Sequence, residues 1–264
     1  MKTSYIVFAS TLALLLLVVG MPQLLGLIKL DKNDKPMDFM SEFWAEHFSK
    51  DRGSHDLANF HHIQLEGKAE SVTMDVIKSK TGVAKVWVPS QKNLKFEVKN
   101  DTLYVKSLNR KNYKYISLEV TQPLQQVLFK DVNIHASFAE DLMNDMHIRV
   151  VEGSDFSLMP INRLEGDTAL RVVPKVQISV SGKSRAFLAN YHIGQIRANL
   201  QEGLLRYSHN LHVDTINVKL AGKSAVSSTQ ANEVNKVGLL RISGDKDYFR
   251  QDNIGQDVRL EINN

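Results

Sequence analysis

Through the second half of the chain, short runs that alternate apolar and polar residues end at a glycine, and the unit returns at a nearly constant interval. Its members are Val176-Gln177-Ile178-Ser179-Val180-Ser181-Gly182, Ile196-Arg197-Ala198-Asn199-Leu200-Gln201-Glu202-Gly203, Ile216-Asn217-Val218-Lys219-Leu220-Ala221-Gly222 and Leu239-Leu240-Arg241-Ile242-Ser243-Gly244, with glycines 21, 19 and 22 residues apart. Alternation with a period of two turns one set of side chains into a core and the other into solvent. A strand and a corner at a near-constant period predict stacked turns of β backbone, because each turn can bury its apolar side chains only against the next.

The same reading extends upstream. Ile63 and Leu65, then Val72, Met74 and Val76, then Val83 to Val88 alternate as strands do. Phe96 to Val105 carries a hairpin signal, since Asn100-Asp101 tolerate the positive φ of a tight turn between two alternating runs. Ile116 to Val120 and Val127 to Phe129 follow, and Val132 to Ala136 with His147 to Gly153 open the regular half. The step from Gly153 to Gly182 is 29 residues, which predicts an insertion around Pro160 to Pro174. Val258 to Ile262 ends the series. An all-β domain of parallel rungs over residues 57–264 is the expectation.

The N-terminus differs in kind. Tyr5 to Leu30 carries no charge except Lys29, and a helix of roughly 20 apolar residues crosses a bilayer. Residues 1–30 therefore read as a signal-anchor transmembrane helix, or as a signal peptide with Lys2 as its basic end, Ile6 to Val19 as its apolar stretch and cleavage near Gly20. Apolar character resumes after Pro22 with Leu24, Leu25, Leu27 and Ile28, which favours a retained anchor. Residues 31–56 read as a charged linker and one short amphipathic helix, with Met37, Met40, Phe43, Trp44, His47 and Phe48 on one side. That stripe suits either the headgroup layer or the open end of a β stack. The expected location is the inner membrane with the C-terminal domain in the periplasm, the alternative being a secreted or outer-envelope protein.

The composition, 43% hydrophobic and 23% charged over 264 residues, is that of an ordinary globular chain, and the absence of cysteine excludes disulfide staples and an acylated lipoprotein cysteine. A net charge of +4, spread along the chain, is a solvated surface rather than a nucleic-acid footprint.

Three stretches, Phe60-His61-His62-Ile63-Gln64-Leu65-Glu66-Gly67-Lys68-Ala69, the Phe96 to Val105 hairpin, and the recurrent Ser/Ala-Gly-Lys-Ser closing 178–184 and 218–224, resemble the auto-transporter adhesin head, or GIN, domain of bacterial envelopes over residues 57–250 or so. The resemblance implies a right-handed parallel β-helix-like solenoid on an exported protein, with no established enzymatic role. The chain departs from that pattern in lacking a lipobox cysteine and in having few Gly-Ser-Gly turns.

No catalytic, cofactor-binding or metal-ligating residue is assigned from the sequence, and no cofactor is expected. Gly182-Lys183-Ser184 and Gly222-Lys223-Ser224 look like the end of a phosphate loop, but the glycine needed five positions earlier is Gln177 or Asn217, within strands. His209, His212 and Asp214 fall short of a tetrahedral donor set. His61 and His62 are read as adjacent strand residues facing opposite ways, which argues against a joint site. Glu140, Asp141 and Asp145, with Asp131 and Glu165, are the carboxylates that glycoside chemistry would need in one groove, and they fall in loops. Trp87 and Tyr104 read as packing residues. The expected function is a non-catalytic, envelope-anchored binding or scaffolding module for a glycan or an envelope protein. The alternatives are a carbohydrate-active enzyme on the same scaffold and a head that associates with itself.

Overall fold

The computed structural model, which describes residues 53–67, 71–88, 94–107, 114–160, 172–208, 210–229, 236–255 and 257–263, is all β apart from two single-turn 3-10 segments, Glu140–Leu142 and Gln251–Asn253. Gly53–Asn264 forms one compact unit. Segment 1–30 and the stripe from Met37 to Phe48 lie outside the described residues, and among those described no helix is long and apolar enough to cross a membrane.

Nineteen strands are present among the described residues. The first seven are β1 (Gly53–Leu57), β2 (His62–Glu66), β3 (Val72–Lys78), β4 (Ala84–Val88), β5 (Leu94–Lys99), β6 (Thr102–Ser107) and β7 (Lys114–Val120). The next six are β8 (Gln126–Lys130), β9 (Asn133–Phe138), β10 (Met146–Val151), β11 (Asp155–Leu158), β12 (Val172–Ser181) and β13 (Arg185–Leu188). The last six are β14 (His192–Gln201), β15 (Leu204–Tyr207), β16 (His212–Ala221), β17 (Ala225–Ser228), β18 (Val237–Gly244) and β19 (Arg259–Ile262).

They make two mixed sheets, one of nine strands in the order β1-β4-β7-β3-β9-β11-β13-β15-β17 and one of ten in the order β19-β18-β16-β14-β12-β10-β8-β2-β6-β5. From β8 to β18 successive strands alternate between the sheets, and each of β8 to β16 pairs in parallel with the strand two places later. Antiparallel pairing is confined to β1 with β4, β4 with β7, and β5 with β6. The last of these is the expected hairpin, and its turn residues Asn100 and Asp101 have φ of 48° and 61°.

The order along the sheets is not the order along the chain. β2 lies between β6 and β8, and β3 between β7 and β9, so the chain builds β4 to β7 on one side of the β2/β3 level before continuing on the other. A periodic pattern carries no information about such a return. The predicted insertion is also shorter than the sequence suggested. Val172, Val173 and Pro174 already belong to β12, and residues 161–171 lie outside the described set.

Inward residues stack in register. Val127, Ile148, Ile178, Ala198, Val218 and Ile242 form one buried row, and Phe129, Val150, Val180, Leu200 and Leu220 the next. Phe129 also stacks on Phe156 of the other sheet, centroids 5.0 Å apart. Burying each such side chain contributes roughly 1.5–3 kcal/mol, and this continuous apolar column is the core.

Two kinds of corner interrupt the strands. At Pro174, Gly194, Asp214 and Gly238 the ladder skips a residue, and each is followed by a second residue that is not buried, so the alternation changes phase there. The backbone crowds closely at this bend: a Cβ on Gly194 would stand 2.8 Å from the Pro174 carbonyl oxygen. Pro174 suits a place where the ladder is already broken, having no N–H to offer.

The other corner lies between the sheets. Glu152-Gly153 and Gly182-Lys183 both run through left-handed backbone, and the serine that follows each turns inward. Ser154, Ser184 and Ser224 are all buried, and strand register aligns them with Gly203 in one column. Their hydroxyls serve the corner's backbone. Ser154 Oγ donates to the Val151 carbonyl (2.6 Å) and accepts from Val132 N–H (3.2 Å), Ser184 Oγ accepts from Gly153 and Ser154 N–H, and Ser224 Oγ donates to the Ala221 carbonyl (2.6 Å) and accepts from Gly203 N–H (3.3 Å). Buried backbone groups without such partners cost about 1–3 kcal/mol each.

Gly203 occupies the one position in this column where serine does not fit, since a Cβ would lie 2.7 Å from the Val180 carbonyl oxygen and 2.8 Å from its Cγ1. Gly203→Ser therefore destabilises the fold by about 1–3 kcal/mol through overpacking, although serine is what the neighbouring levels carry; a lowered urea midpoint checks it. Tyr191, fully buried, accepts a hydrogen bond from Phe138 N–H (3.1 Å) and donates to the Phe138 carbonyl (3.0 Å). Tyr191→Phe strands both groups and is expected to cost about 1–3 kcal/mol in the same measurement.

Candidate functional site

An extended polar surface among the described residues is the outward face of the ten-stranded sheet from β8 to β18, between the bend and the serine corner. Alternation sends out Gln126, Leu128 and Lys130 from β8, and His147, Arg149 and Val151 from β10. The next strands present Lys175, Gln177, Ser179 and Ser181, then Gln195, Arg197, Asn199 and Gln201. Thr215, Asn217, Lys219 and Ala221 follow on β16, and Leu239, Arg241 and Ser243 on β18. This stretch contains no carboxylate.

Acidic side chains sit instead at the margins. Glu152 at the serine corner reaches Lys130 at 3.3 Å, Asp145 ahead of β10 reaches Lys175 at 2.6 Å, and Glu261 of β19 reaches Arg241 at 2.7 Å. The pairing with Arg241, followed by the nearby Arg259, holds the Glu261 carboxyl below its ordinary value. Arg149, Arg197 and Lys219, all exposed, have no ion-pair partner among the described residues. His147 Nε2 lies 2.8 Å from Ser179 Oγ, and burial, with Arg149 adding to it, lowers the imidazole's pKa. The arrangement offers cations, amides and hydroxyls along one sheet face.

The sequence candidates are scattered. Asp141 pairs with Lys78 at 3.4 Å and Asp145 with Lys175, so separate lysines occupy these two carboxylates, and Glu140 belongs to the 3-10 turn. Asp131 sits at φ 51° in the turn between β8 and β9. Glu165 and His209 lie outside the described residues. His212 lies beside His192 of the adjacent strand, ring centroids 5.6 Å apart and planes tilted by 52°, and Asp214 occupies the bend. Among the described residues no three His, Asp or Glu side chains converge as a metal site would require. Both Gly-Lys-Ser segments are serine corners, with Gly182 and Gly222 in left-handed backbone and the serine hydroxyls consumed by neighbouring main chain. The groove there, about 460 Å³, is shallow and lined by Lys183, Arg185, Lys223 and Glu202.

Two expectations are corrected. His61 precedes β2, so strand alternation does not govern it: His61 Nδ1 lies 2.8 Å and His62 Nε2 3.8 Å from Asp101 Oδ2. The hydrogen bond from His61 lowers the Asp101 carboxyl, at the tip of the hairpin. Trp87 is not a packing residue. It is 42% exposed on β4 and meets Tyr115 edge-on, with centroids 5.7 Å apart, while the Tyr115 hydroxyl donates to Asp75 Oδ2 at 2.7 Å. Tyr104 is half-buried and lines an open groove of about 720 Å³ with His55, Gln64, Phe96, Glu97 and Lys106 at the β5 edge.

The unpaired cations were missed as a set, although their signal is present in the repeats: the outward positions of the runs ending at Gly182, Gly203, Gly222 and Gly244 contain Arg, Lys, amides and hydroxyls but no Asp or Glu before the corner.

No family model and no curated protein matches the chain. Among solved structures it is similar to a putative adhesin from Bacteroides fragilis, at 16% identity over 81% of this chain and 97% of that one, with a TM-score of 0.44. It is also similar to a putative adhesin from Parabacteroides merdae, at 13% identity over 81% and 95% with a TM-score of 0.44, and to a putative lipid binding protein from Parabacteroides distasonis, at 13% over 81% and 95% with a TM-score of 0.43.

Two histidines of the ten-stranded sheet, His147 on this face and His212 beyond the bend, make stability depend on pH. Burial first, then Lys236 and His192, lower the pKa of His212 below its ordinary 6.5, and His147 is lowered as well. A group depressed in the folded state contributes its full stability above the unfolded value and loses it as pH falls through the folded one. Urea midpoints are therefore expected to be level above about pH 6.5 and to decline below it, with the decline shallower in His212→Gln.

Proposed function

We propose that residues 53–264 are a β-solenoid head, held at the cell envelope by the apolar segment 1–30, that binds an extended ligand and performs no chemistry on it. Parallel pairing at intervals of about twenty residues supports the solenoid reading, and the resemblance to the adhesin-head domain fits it. The observation that carries the function is the flat, in-register face from β8 to β18. Stacked strands repeat polar groups along a line, which matches a repetitive or elongated partner better than a small molecule in an enclosed pocket.

Catalysis on a glycan needs two carboxyls poised about 5–9.5 Å apart across the substrate. The acidic side chains flanking this face are instead engaged one by one with Lys130, Lys175 and Arg241. Self-pairing of strands finds poor templates at the ends of the ten-stranded sheet, because β5 displays Lys95, Glu97 and Lys99 and β19 is four residues long with Arg259 and Glu261.

The full chain in detergent is expected to be retained by immobilised polysaccharides without releasing reducing ends or unsaturated products over a day. Accumulating product overturns the non-catalytic reading. For the location, a C-terminal fusion to a reporter phosphatase that is active only in the periplasm is expected to be active, and an inactive fusion overturns the envelope-facing orientation.

A further inference from the structure

The geometry points to a linear acidic polysaccharide as the ligand of the β8 to β18 face, with Arg149, Arg197 and Lys219 binding its carboxylates or sulfates. The inference rests on the binding-module reading and specifies its ligand. Charge complementarity is its first support: these three cations are exposed and unpaired among the described residues, on a face with no acidic side chain of its own.

Spacing is the second. Register places Arg149, Ser179, Asn199 and Lys219 in one row, and His147, Gln177, Arg197, Asn217 and Arg241 in the row beside it. Neighbouring strands lie about 4.7–4.9 Å apart, so Arg149 and Arg197 are separated by about 9–10 Å along the stack and Arg149 and Lys219 by about 14–15 Å. Between them stand amides and hydroxyls that both donate and accept hydrogen bonds, as sugar hydroxyls do. A chain with an acidic group on every second sugar offers the same alternation of sparse charge and dense hydroxyl.

Competing partners fit less well. Nucleic acid carries a phosphate on every nucleotide, about every 3.4 Å along each strand of a duplex, and single strands are held by stacking their bases on aromatic rings. Here the free cations are much sparser, and the face exposes no Phe, Tyr or Trp. Protein interfaces are anchored by buried aromatic and apolar side chains, whereas the aliphatic contribution of this face is limited to residues such as Leu128 and Leu239. An uncharged glycan would leave the three cations without a role.

The test is binding of the detergent-solubilised full chain to immobilised hyaluronate, whose carboxylates fall on every second sugar, keratan sulfate, whose main sulfates do, uncharged dextran and single-stranded DNA at low and high salt. The triple variant Arg149→Gln, Arg197→Gln, Lys219→Gln changes only exposed side chains, and circular dichroism verifies its fold. Arg206→Gln, exposed on β15 of the other sheet, is the control. At least one polyanionic polysaccharide is expected to bind in a salt-sensitive manner, at least tenfold more weakly to the triple variant and unchanged by the control, with dextran and DNA weaker. Hyaluronate against keratan sulfate tells carboxylate from sulfate recognition. Binding equal in the triple variant, DNA binding as tight as the polysaccharides, or no binding to either polyanion overturns the inference. Dextran binding that survives the triple variant overturns it too while leaving the binding-module reading intact, and product release alone removes that reading.

Discussion

In-register parallel stacking is the constraint on which the other features of Gly53–Asn264 depend. Side chains alternate with a period of two, so sliding any strand by one residue would exchange its inner and outer sets and bring Gln177, Ser179 and Arg197 into the core. Register must therefore be held at the strand ends as well as by the apolar rows. The serine corner does this with directional bonds, tying the Ser154 and Ser184 levels together through the Gly153 and Ser154 amides, and the Ser224 level to Gly203. Tyr191 ties the Phe138 level to its own from the opposite end of the coreward strands. Apolar packing supplies most of the stabilisation, but it is non-directional, and a uniform column of Ile, Val and Leu discriminates weakly between neighbouring registers. Hydroxyls aimed at particular amides discriminate strongly.

The glycine-terminated runs announced the strands because one physical requirement, a left-handed or crowded corner after each alternating segment, leaves a visible residue. The hairpin at Asn100-Asp101 was legible for the same reason: positive φ restricts residue choice. The interior order of β2 and β3 was not. It depends on which sheet edge is open when the chain returns, and Ile63 or Val76 would be equally apolar in any order. Trp87 misled because alternation gives the phase of a strand only when both faces differ in polarity, and Val86-Trp87-Val88 is apolar throughout. His61 misled because the strand begins one residue later, at His62. Ser184 and Ser224 were noticed for a phosphate-loop likeness whose true cause is the inward hydroxyl of a corner.

The polar face was written in the same runs and overlooked, since an outward residue places no demand on the core. Only when register aligns the runs does the pattern become spatial. From β10 to β18 no Lys or Arg stands directly beside another in the rows that contain Arg149 and Arg197; Ser179, Asn199, Gln177 and Asn217 intervene. Like charges directly opposite one another are destabilising, and the stagger keeps that cost small, with Glu261 of β19 beside Arg241 at the end of the row.

A surface optimised only for folding has a simpler option, which is to place glutamate or aspartate opposite each cation and gain a cross-strand pair. That option is used at the margins, where Glu152, Asp145 and Glu261 each neutralise a lysine or arginine, and it is not used in the middle. The carboxylates are available in the chain, which has 29 acidic residues against 33 basic ones, so their exclusion from six consecutive strand faces is a matter of placement rather than composition. The margins pair their cations with carboxylates, and the centre keeps its cations spaced and without an ion-pair partner among the described residues. Uncompensated charge on a repetitive face leaves an incoming anion no internal ion pair to break first.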